Sequence, residues 1–488
     1  MSFNSTTMIP ELQAEFEKVL ALIASPEAQT ATLDQMERTL LGQVLRLGGR
    51  LLQAFADQRS AAETHGRYRQ GRKTWPYHSQ KPVDYHSVFG PLVVKRAYFY
   101  ASARGGQTPL DAALSLPERC YSDLLMESAS LLAVDGAYHK AIQVLERLLQ
   151  VSVPVAAVET DVREQAADVG AFYATQPRPA VAEEGSLLVV QADGKGVPLV
   201  RPPAEGAPRK TRRGKGDKKT RKKEAVATAV YTLERCPRTP QQLADALFDQ
   251  GAAPVAERPV PQHKRVFASL DGKAAALAQL ATWARQRDGR HIRDRVALTD
   301  GAHALQDQMH SQLRDFTLVL DIIHVSEYLW KAGSALYGET DPQRARWVEE
   351  QLRDILASRV KTVIDRLAAK ADRLTKTSQA YRALHQAITY FQRHQPFMDY
   401  ATYLRRGWPV ATGVIEGACR HLVKDRMELA GMRWTIPGAT AVLALRAVNE
   451  NGDWEAFHAF RRERRHDRLY RTPMPKAWIA HAERLEIN

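Results

Sequence analysis

Between residues 186 and 320 the chain alternates short apolar runs with turn residues and helical stretches, and this order limits the fold more than any other feature. Three apolar runs come first, followed by a helix, a strand, a second helix and a last strand, with predicted bounds of 186–190, 197–200, 224–233, 272–287, 295–298, 302–313 and 316–320. Short runs rich in Val, Ile and Leu between turn residues are typical of buried strands. The order is that of a ribonuclease H-like α/β core.

Two aspartates, Asp193 and Asp300, each end one of these strands and each precede a glycine. Their side chains are therefore expected at the carboxyl edge of the sheet, where open α/β sheets bind ligands. Two carboxylates in such a place repel each other unless a cation such as Mg²⁺ lies between them. With a third carboxylate they would form a two-metal site for phosphodiester chemistry. An Asp-Gly pair after a strand is also a common turn, so spacing alone leaves both interpretations open.

The third carboxylate is assigned to Glu416, because Arg420 and Lys424 follow it at four-residue steps and would share its helical face. This arrangement would place a metal-binding carboxylate beside two phosphate-binding cations. Glu428 falls on the same progression and Asp425 lies close to it, so both compete for the role. A glutamate near Arg and Lys on a helix is also commonly a solvent-facing ion pair.

A second polar pair, Asp321 and His324, follows the last predicted strand. Two residues alone do not make a zinc site. This spacing fits two interpretations. The two side chains could form hydrogen bonds near a bound phosphate or base, or they could form a purely structural Asp–His contact.

The rest of the chain divides by composition. Residues 1–70 and 114–180 are predicted to be helical, and 71–113 to be loop and β-hairpin, with strands at 84–89 and 92–100 and loop from about 66 to 80. In the second helical segment a helix at 138–150 breaks and restarts at Pro154, which suits a helix-turn-helix or a plain helical hairpin. The core is expected in two parts, 181–338 and 409–455, separated by a helical insertion at 339–408 and followed by a basic tail at 456–488.

The N-terminal helical segment carries a capping pair and an apolar stripe. Thr32 and Gln35 are spaced as a capping box. The stripe predicts packing or self-association and consists of Met36, Leu40, Val44, Leu47, Leu51 and Phe55.

Positive charge is concentrated in two segments. The chain has 69 Lys and Arg against 55 Asp and Glu, a net charge of +14, of which 209–223 carries +9 and 461–471 carries +4. Such a concentration indicates a polyanionic partner, because each phosphate contact releases condensed counterions. A basic run is also commonly a solvated linker.

The three cysteines, Cys120, Cys236 and Cys419, are far apart and form no CxxC pair. A disulfide framework or a cysteine-rich zinc site is therefore not expected. No apolar run approaches the ~18–20 residues needed to cross a bilayer, and the N-terminus lacks the order of a secretory signal, so we expect a cytoplasmic protein without a membrane partner.

Several blocks resemble bacterial insertion-sequence transposases of the ISKra family. They are ADGKGVPL at 192–199, KKEAVATAVYTL at 222–233, LTDG at 298–301, DIIHVSEYLWKAG at 321–333 and GVIEGACRHLVKDRMELAGMRW at 413–434. The last block is the longest and most specific. The resemblance covers the region from the first predicted strand to Asn451 and extends more loosely to the hairpin and to the 138–150 helix.

The resemblance implies a DDE transposase whose ribonuclease H-like domain is interrupted by a helical insertion. It places the catalytic acids, which hold two Mg²⁺ ions with Mn²⁺ as a substitute, on Asp193, Asp300 and Glu416. Asp321 and His324 match an Asp-x-x-His element of related Mutator-like enzymes. Relatives often carry a cysteine pair after the hairpin, whereas this chain has Ala101-Ser102-Ala103-Arg104, so zinc is not expected.

The implied partner is double-stranded DNA, as terminal inverted repeats and target, bound by at least two protomers at the bacterial nucleoid. The mostly α N-terminal region with its hairpin would bind the repeats. Phosphate contacts are expected from Lys195, Arg420 and Lys424. A basic loop between the second and third predicted strands would add Arg209, Lys210, Arg212, Arg213, Lys215, Lys218 and Lys219. A nuclease that cuts without joining, or a catalytically silent DNA-binding regulator, would share much of this pattern.

Overall fold

The computed structural model of the chain describes residues 5–63, 66–200, 221–248, 258–429 and 431–471. It forms two compact units, Met1–Phe172 with Asp453–Asn488, and Tyr173–Gly452. The basic loop residues predicted to bind DNA, Arg209, Lys210, Arg212, Arg213, Lys215, Lys218 and Lys219, lie outside the described residues. Within the described ranges, no helix combines the length and apolar character that crossing a bilayer requires.

The first unit begins with three helices, α1 (Ser5–Ile23), α2 (Pro26–Thr30) and α3 (Leu33–Ala61). The predicted capping box of α3 is confirmed. The Thr32 hydroxyl accepts the Gln35 amide N–H, and the Gln35 side chain accepts the Thr32 amide N–H at 2.8 Å.

An antiparallel sheet follows, with β1 (Arg67–Gln70), β2 (Lys73–Ser87), β3 (Gly90–Ala101) and β4 (Gly105–Gln107) in that order. The predicted hairpin is confirmed. It turns at Val88-Phe89, and Gly90, the first residue of β3, has a φ of 106°, which favours glycine. The loop predicted at 66–80 is wrong, because β1 and half of β2 lie there. Tyr68, Trp75 and Tyr77 pack in one small core with Phe99, and basic residues between them hid this alternation in the sequence.

Four helices complete the N-terminal part: α4 (Pro109–Ala113), α5 (Asp123–Asp135), α6 (Tyr138–Leu149) and α7 (Val155–Thr175). The predicted break between α6 and α7 is confirmed, and Gln150 ends α6 in the left-handed region, with φ of 57°. A single 3₁₀ turn, Val181–Glu183, precedes the second sheet.

The second unit is built on a five-stranded sheet, with β5 (Leu187–Leu199), β6 (Arg221–Leu233), β7 (Gln262–Ser269), β8 (Asp294–Thr299) and β9 (Thr317–Leu320). The order across the sheet is β7-β6-β5-β8-β9. β6 runs antiparallel to β5 and β7, whereas β8 runs parallel to both β5 and β9.

The strand assignment of the sequence analysis is wrong at two points. The runs at 186–190 and 197–200 belong to one strand, β5, and the third strand of the sheet, β7, was not predicted. Gly194 and Gly196 suggested a turn, but they lie within β5, where a Cβ would meet the side chains of Glu224 and Lys222 across the ladder. In sequence, the basic segment therefore follows the first strand of the sheet, β5, and precedes or enters the second, β6; it does not lie between the second strand and the third.

Helices cover both faces of this sheet. They are α8 (Pro240–Phe248), α9 (Lys273–Arg287), α10 (His303–Gln312), α11 (Ile322–Tyr337), α12 (Pro342–Leu356), α13 (Val360–Ala371), α14 (Gln379–His394), α15 (Tyr400–Arg405), α16 (Gly413–Ala418), α17 (Asp425–Met427) and α18 (Ile436–Glu450). A 3₁₀ turn, Gln395–Phe397, follows α14, and a π-helical turn, Cys419–Lys424, follows α16. The predicted helices at 272–287 and 302–313 and the helical insertion are confirmed as elements.

The two faces have separate cores. Leu188 and Val190 of β5 pack with α9 and α10 on one face, and Leu187 and Val189 pack with α11 to α15 on the other. Since alternate strand residues point to opposite faces, the parity of each residue in β5 decides which helices it meets.

The last helix, α19 (Trp454–Tyr470), belongs to the first unit. The sequence analysis treated 456–488 as a basic tail. The described part is instead a helix whose arginines pair with carboxylates, namely Arg461 with Asp168, Arg462 with Glu127, Arg465 with Asp123 and Arg468 with Glu118. Its positive charge is largely neutralised within the unit, and residues 472–488 lie outside the described residues.

Candidate functional site

Three aspartates fall in one row by strand register: Asp193 lies within β5, just beyond its pairing with β8, and Asp300 and Asp321 directly follow β8 and β9. The last parallel pairs are Gln191 with Leu298 and Thr299 with Leu320. Continuing the β5–β8 register by two residues places Asp193 beside Asp300. Continuing the β8–β9 register by one residue places Asp300 beside Asp321. Neighbouring strands are ~4.8 Å apart, so this row gathers three carboxylates at one edge of the sheet.

Asp193 and Asp300 also point to the same face. Val189 of β5 and Leu298 of β8 lie in the core shared with α11 to α15. Asp193 is four residues after Val189 and Asp300 is two residues after Leu298, and an even separation in a strand keeps the face. The register of β5 and β8, continued past the end of β8, therefore places the two acids predicted from their Asp-Gly positions side by side on one face of the sheet.

Asp193 lies inside β5, not after it, because β5 continues alongside β6 beyond its pairing with β8. Its carboxylate accepts the Gly194 amide N–H at 2.6 Å. Cys419, in the π-helical turn, lies against this carboxylate. Burial first, and then the Asp193 carboxylate, raise the pKa of the Cys419 thiol, which is therefore neutral beside the acid.

Asp300 is held by the helical insertion. Its carboxylate accepts the Ala302 amide N–H at 2.8 Å, and its carbonyl oxygen accepts the Tyr390 hydroxyl at 3.0 Å. The Tyr390 ring stacks on Tyr328 at 4.0 Å and on His394 at 4.4 Å between ring centres. Since Tyr390 and His394 lie on α14, the insertion supports the loop that carries Asp300.

Asp321 caps α11 and is fully buried. Its carboxylate accepts the Ile323 amide N–H at 2.8 Å and the Thr412 hydroxyl, and it contacts Nδ1 of His324 at 3.1 Å. This hydrogen bond raises the pKa of His324 to about 9, against the opposing effect of burial. Of the interpretations left open by the sequence, the direct Asp–His contact is observed.

Glu416 lies close to the pair formed by Asp321 and His324. The Thr412 hydroxyl, four residues earlier, lies 3.0 Å from a Glu416 carboxylate oxygen, and the glutamate is otherwise exposed. Among the described residues, one group of three side chains that could bind a metal has its donor atoms within 4.8 Å of one another, and it consists of Asp321, His324 and Glu416. Asp193 and Asp300 are not members of that tight group, although they occupy the same sheet edge.

The short helix α16 is attached to the sheet by a buried glutamine. Oε1 of Gln191 accepts the Ile415 amide N–H at 2.8 Å, and its Nε2 donates to the Tyr231 hydroxyl at 2.7 Å. Gln191 and Asp193 are two residues apart in β5 and so share a face. The first aspartate and the helix of Glu416 are therefore placed by one strand.

The π-helical turn after α16 has its own support from α18. Nε of Arg446 donates to the Leu422 carbonyl at 3.0 Å, and its guanidinium also donates to the His421 carbonyl. A π turn rearranges helical hydrogen bonds locally, and such turns are frequent at functional sites. Arg446, Gln191, Thr412 and Tyr390 were all missed by sequence reasoning. Gln191 alone gave a usable signal, as a polar residue within an apolar strand.

Glu428 and Asp425, the two alternatives to Glu416 as the third carboxylate, are each paired with a cation. Glu428 lies 2.7 Å from Nζ of Lys222, and this hydrogen bond lowers the pKa of Glu428. Asp425 lies 3.4 Å from His421 and 3.8 Å from Arg420.

The expected phosphate contacts Arg420 and Lys424 are exposed on this segment, and Lys195 is half-buried in β5. Lys195 is two residues beyond Asp193, on the same face. Its charge contributes to the lowered pKa of Glu428, which places it near the end of this segment.

The donor set fits divalent cations that prefer oxygen ligands. Asp193, Asp300 and Asp321 form the row, and Glu416 adds a fourth carboxylate. Mg²⁺ favours carboxylate oxygens and water, and such a concentration of negative charge at one edge needs a counter-charge. No family model matches the chain, and no curated protein matches it.

Proposed function

We propose that the second unit is the ribonuclease H-like catalytic domain of a DDE transposase, which cuts the ends of a DNA element and joins them to target DNA. The observation that carries this proposal is the register of β5 with β8, whose continuation brings Asp193 beside Asp300 on the face where Gln191 attaches α16, the helix of Glu416. The sheet order β7-β6-β5-β8-β9, with β6 antiparallel, supports the same fold.

In the proposed site, Asp193, Asp300 and Glu416 would hold two Mg²⁺ ions, with Mn²⁺ as a substitute. When bound, such a pair of ions activates the attacking hydroxyl and stabilises the leaving oxygen. The chain fixes the ligands itself: backbone N–H groups hold Asp193 and Asp300, and Thr412 holds Glu416. Lys195, Arg420 and Lys424 would bind phosphates, and His324 would place a positive charge at the same edge.

The reaction would have two stages without a covalent protein intermediate. Water would attack the phosphodiester at the element end and release a 3′-hydroxyl. This hydroxyl would then attack a target phosphodiester in line, forming the new P–O bond as the P–O bond to the target strand's 3′-oxygen breaks and that oxygen leaves. Two ends must be paired, so we propose a homodimer or larger assembly on DNA. In a bacterial cell this work would take place on the nucleoid in the cytoplasm.

The test is an in vitro strand-transfer assay with a matched element end and Mg²⁺ or Mn²⁺, comparing the wild-type protein with Glu416→Gln. We expect Glu416→Gln to abolish cleavage and joining while end binding is kept. Glu428→Gln is the matched control, because it makes the same change on the same segment at an acid already paired with Lys222; it should stay active. Cleavage without joining by the wild type would favour a nuclease, and binding without cleavage a silent regulator.

A further inference from the structure

The four-stranded sheet of the first unit has one face that carries aromatic and basic side chains toward solvent. Arg67 pairs with Pro76 and Arg69 with Thr74. Thr74 and Pro76 alternate with Trp75 and Tyr77, whose side chains form the small core on the opposite face. The arginines of β1 therefore lie on the exposed side. We call this side the aromatic-basic face and define it by Arg67, Arg69, His78, Lys81, Tyr98 and Tyr100.

The rings on this face form one connected group. His78 lies 5.7 Å from Tyr98 and 5.9 Å from Tyr100 between ring centres, and the two tyrosines are 6.2 Å apart and nearly parallel. Nζ of Lys81 lies 3.4 Å from the centre of the Tyr98 ring. A Cβ on Gly106 would overlap Tyr98, so glycine at that position lets β4 lie against the ring. The aromatic side chains are thus held in place before any ligand arrives.

The charge of the sheet is strongly positive and partly unpaired. Residues 67–107 contain eight Lys or Arg and one Asp, a net charge of +7. Two of these cations are paired, Lys95 with Asp57 and Arg96 with Asp111. Within the described ranges, no carboxylate pairs with Arg67 or Arg69.

The sheet and α19 differ in whether their arginines are paired with carboxylates, and this difference bears on which of the two surfaces is available to bind an anion. The arginines of α19 are paired with carboxylates of their own unit, as described above. An arginine in an ion pair must break that pair before it contacts a phosphate, whereas Arg67 and Arg69 are exposed and already available. The sequence analysis interpreted the positive charge at 461–471 as a sign of a polyanionic partner. Of these two basic surfaces, the ion pairs of α19 make the sheet the more available one.

We propose that the aromatic-basic face binds the backbone of double-stranded DNA. Arginine and lysine neutralise phosphates, and tyrosine hydroxyls donate hydrogen bonds to phosphate oxygens, contacts that position a duplex without reading its sequence. The partner class follows from charge and side-chain chemistry. That the duplex is an element end rests on the proposed function.

The experiment measures the salt dependence of duplex binding by the full chain, using fluorescence anisotropy with a labelled element-end duplex in EDTA. Each phosphate contact contributes about −0.9 to the slope of log K against log salt concentration. The double substitution R67S/R69S should therefore make the slope less steep by about 1.8. The double substitution R464S/R468S is the control, because it removes the same charge from residues paired with Asp168 and Glu118, and its slope should stay at the wild-type value.

The outcomes separate this inference from the proposed function. A wild-type protein that binds no duplex contradicts both. A wild-type protein that binds, with an unchanged slope in R67S/R69S, overturns the aromatic-basic face as an interface and leaves the transposase proposal intact. Loss of affinity for single-stranded DNA alone in R67S/R69S also overturns it. A second variant pair, Y98F and Y100F, keeps the rings and removes the hydroxyls, and together they should weaken duplex binding several-fold without changing the slope.

Discussion

At the scale of residues, one hydroxyl connects the two halves of the candidate site. Thr412 contacts the buried carboxylate of Asp321 and a carboxylate oxygen of Glu416. A hydroxyl has one proton, so Thr412 donates to one of these oxygens at a time, and the two carboxylates share this one donor. The position of Glu416 is thereby tied to β9 as well as to its own helix.

Replacing Thr412 tests this connection. Thr412→Val keeps the shape and removes the hydrogen bond, whose net worth of about 0.5–1.5 kcal/mol corresponds to a rate loss of about 2- to 13-fold. We therefore expect slower cleavage of an element end at limiting Mg²⁺, measured in single-turnover assays. Thr412→Ser should restore the rate because it keeps the hydroxyl. A Thr412→Val protein as fast as the wild type would remove this residue from the site.

His324 predicts a pH dependence of stability. Its pKa rises from about 6.5 to about 9 because Asp321 hydrogen-bonds its ring. A raised folded-state pKa stabilises the protein fully below the unfolded value and loses that contribution as the pH rises through the folded value. The free energy of unfolding of the wild type should thus exceed that of His324→Gln most at pH 6, with the gap closing between about pH 6.5 and 9.

Urea unfolding in EDTA at pH 6, 8 and 10 measures this gap. His385→Gln is the control, because His385 is exposed on α14 and contacts Tyr381 instead of a carboxylate in the described structure. A gap for His324→Gln that is constant across this range would contradict the assignment.

At the scale of elements, a helix of six residues carries the third acid. α16 is too short to be stable alone and depends on its attachments. Gln191 attaches it to β5, and Arg446 supports the π-helical turn that follows. Helix α14 supports the loop of Asp300 in a similar way, through the hydrogen bond from the Tyr390 hydroxyl to the Asp300 carbonyl.

The attachment through Gln191 predicts a selective defect. Gln191→Met should raise the Mg²⁺ concentration needed for cleavage and should reduce the thermal stabilisation by Mn²⁺, because Glu416 is less well placed. Gln351→Met is the matched control, since Gln351 is an equally buried glutamine on α12, bonded to Arg366 instead of to the site. Both variants should lose about 1 kcal/mol of stability. An equal Mg²⁺ requirement in the two variants would show that Gln191 is only structural.

The elements were predictable where one local pattern decides them. The α3 capping box, the hairpin at Gly90 and the α6–α7 break follow from a few neighbouring residues. The strand at 262–269 was missed because its sequence, QHKRVFAS, shows little apolar alternation, and it is a strand because it pairs with β6. Gly194 and Gly196 were misleading because the reason for glycine there is a neighbouring side chain on β6, which no local pattern reveals.

The sequence pointed to candidate acids and not to the residues that support them. Asp193 and Asp300 were proposed because each precedes a glycine near an apolar strand, and the continued register of β5 and β8 is consistent with their being neighbours. The tight approach of Glu416 to Asp321 and His324 depends on Thr412, and the hold on Asp300 depends on Tyr390, 90 residues away. Contacts between segments that are far apart in the chain produce no local sequence pattern from which they could be predicted.

At the scale of the whole molecule, the basic segments that stand out in the sequence are not the ones whose cations are free in the described structure. In the described ranges, the arginines of α19 are paired within the first unit, whereas Arg67 and Arg69 of its sheet have no carboxylate partner. The second unit carries the row of carboxylates. Under the proposed function, the basic sheet would hold DNA and the carboxylates would hold divalent cations.

The most direct measurement is anomalous X-ray diffraction from crystals of the protein with an element-end duplex and Mn²⁺. We expect two manganese peaks about 3.5–4 Å apart, as in two-metal sites, with Asp193, Asp300 and Glu416 as ligands. A single peak coordinated by Asp321, His324 and Glu416 with none at Asp193 would contradict the proposed catalytic centre.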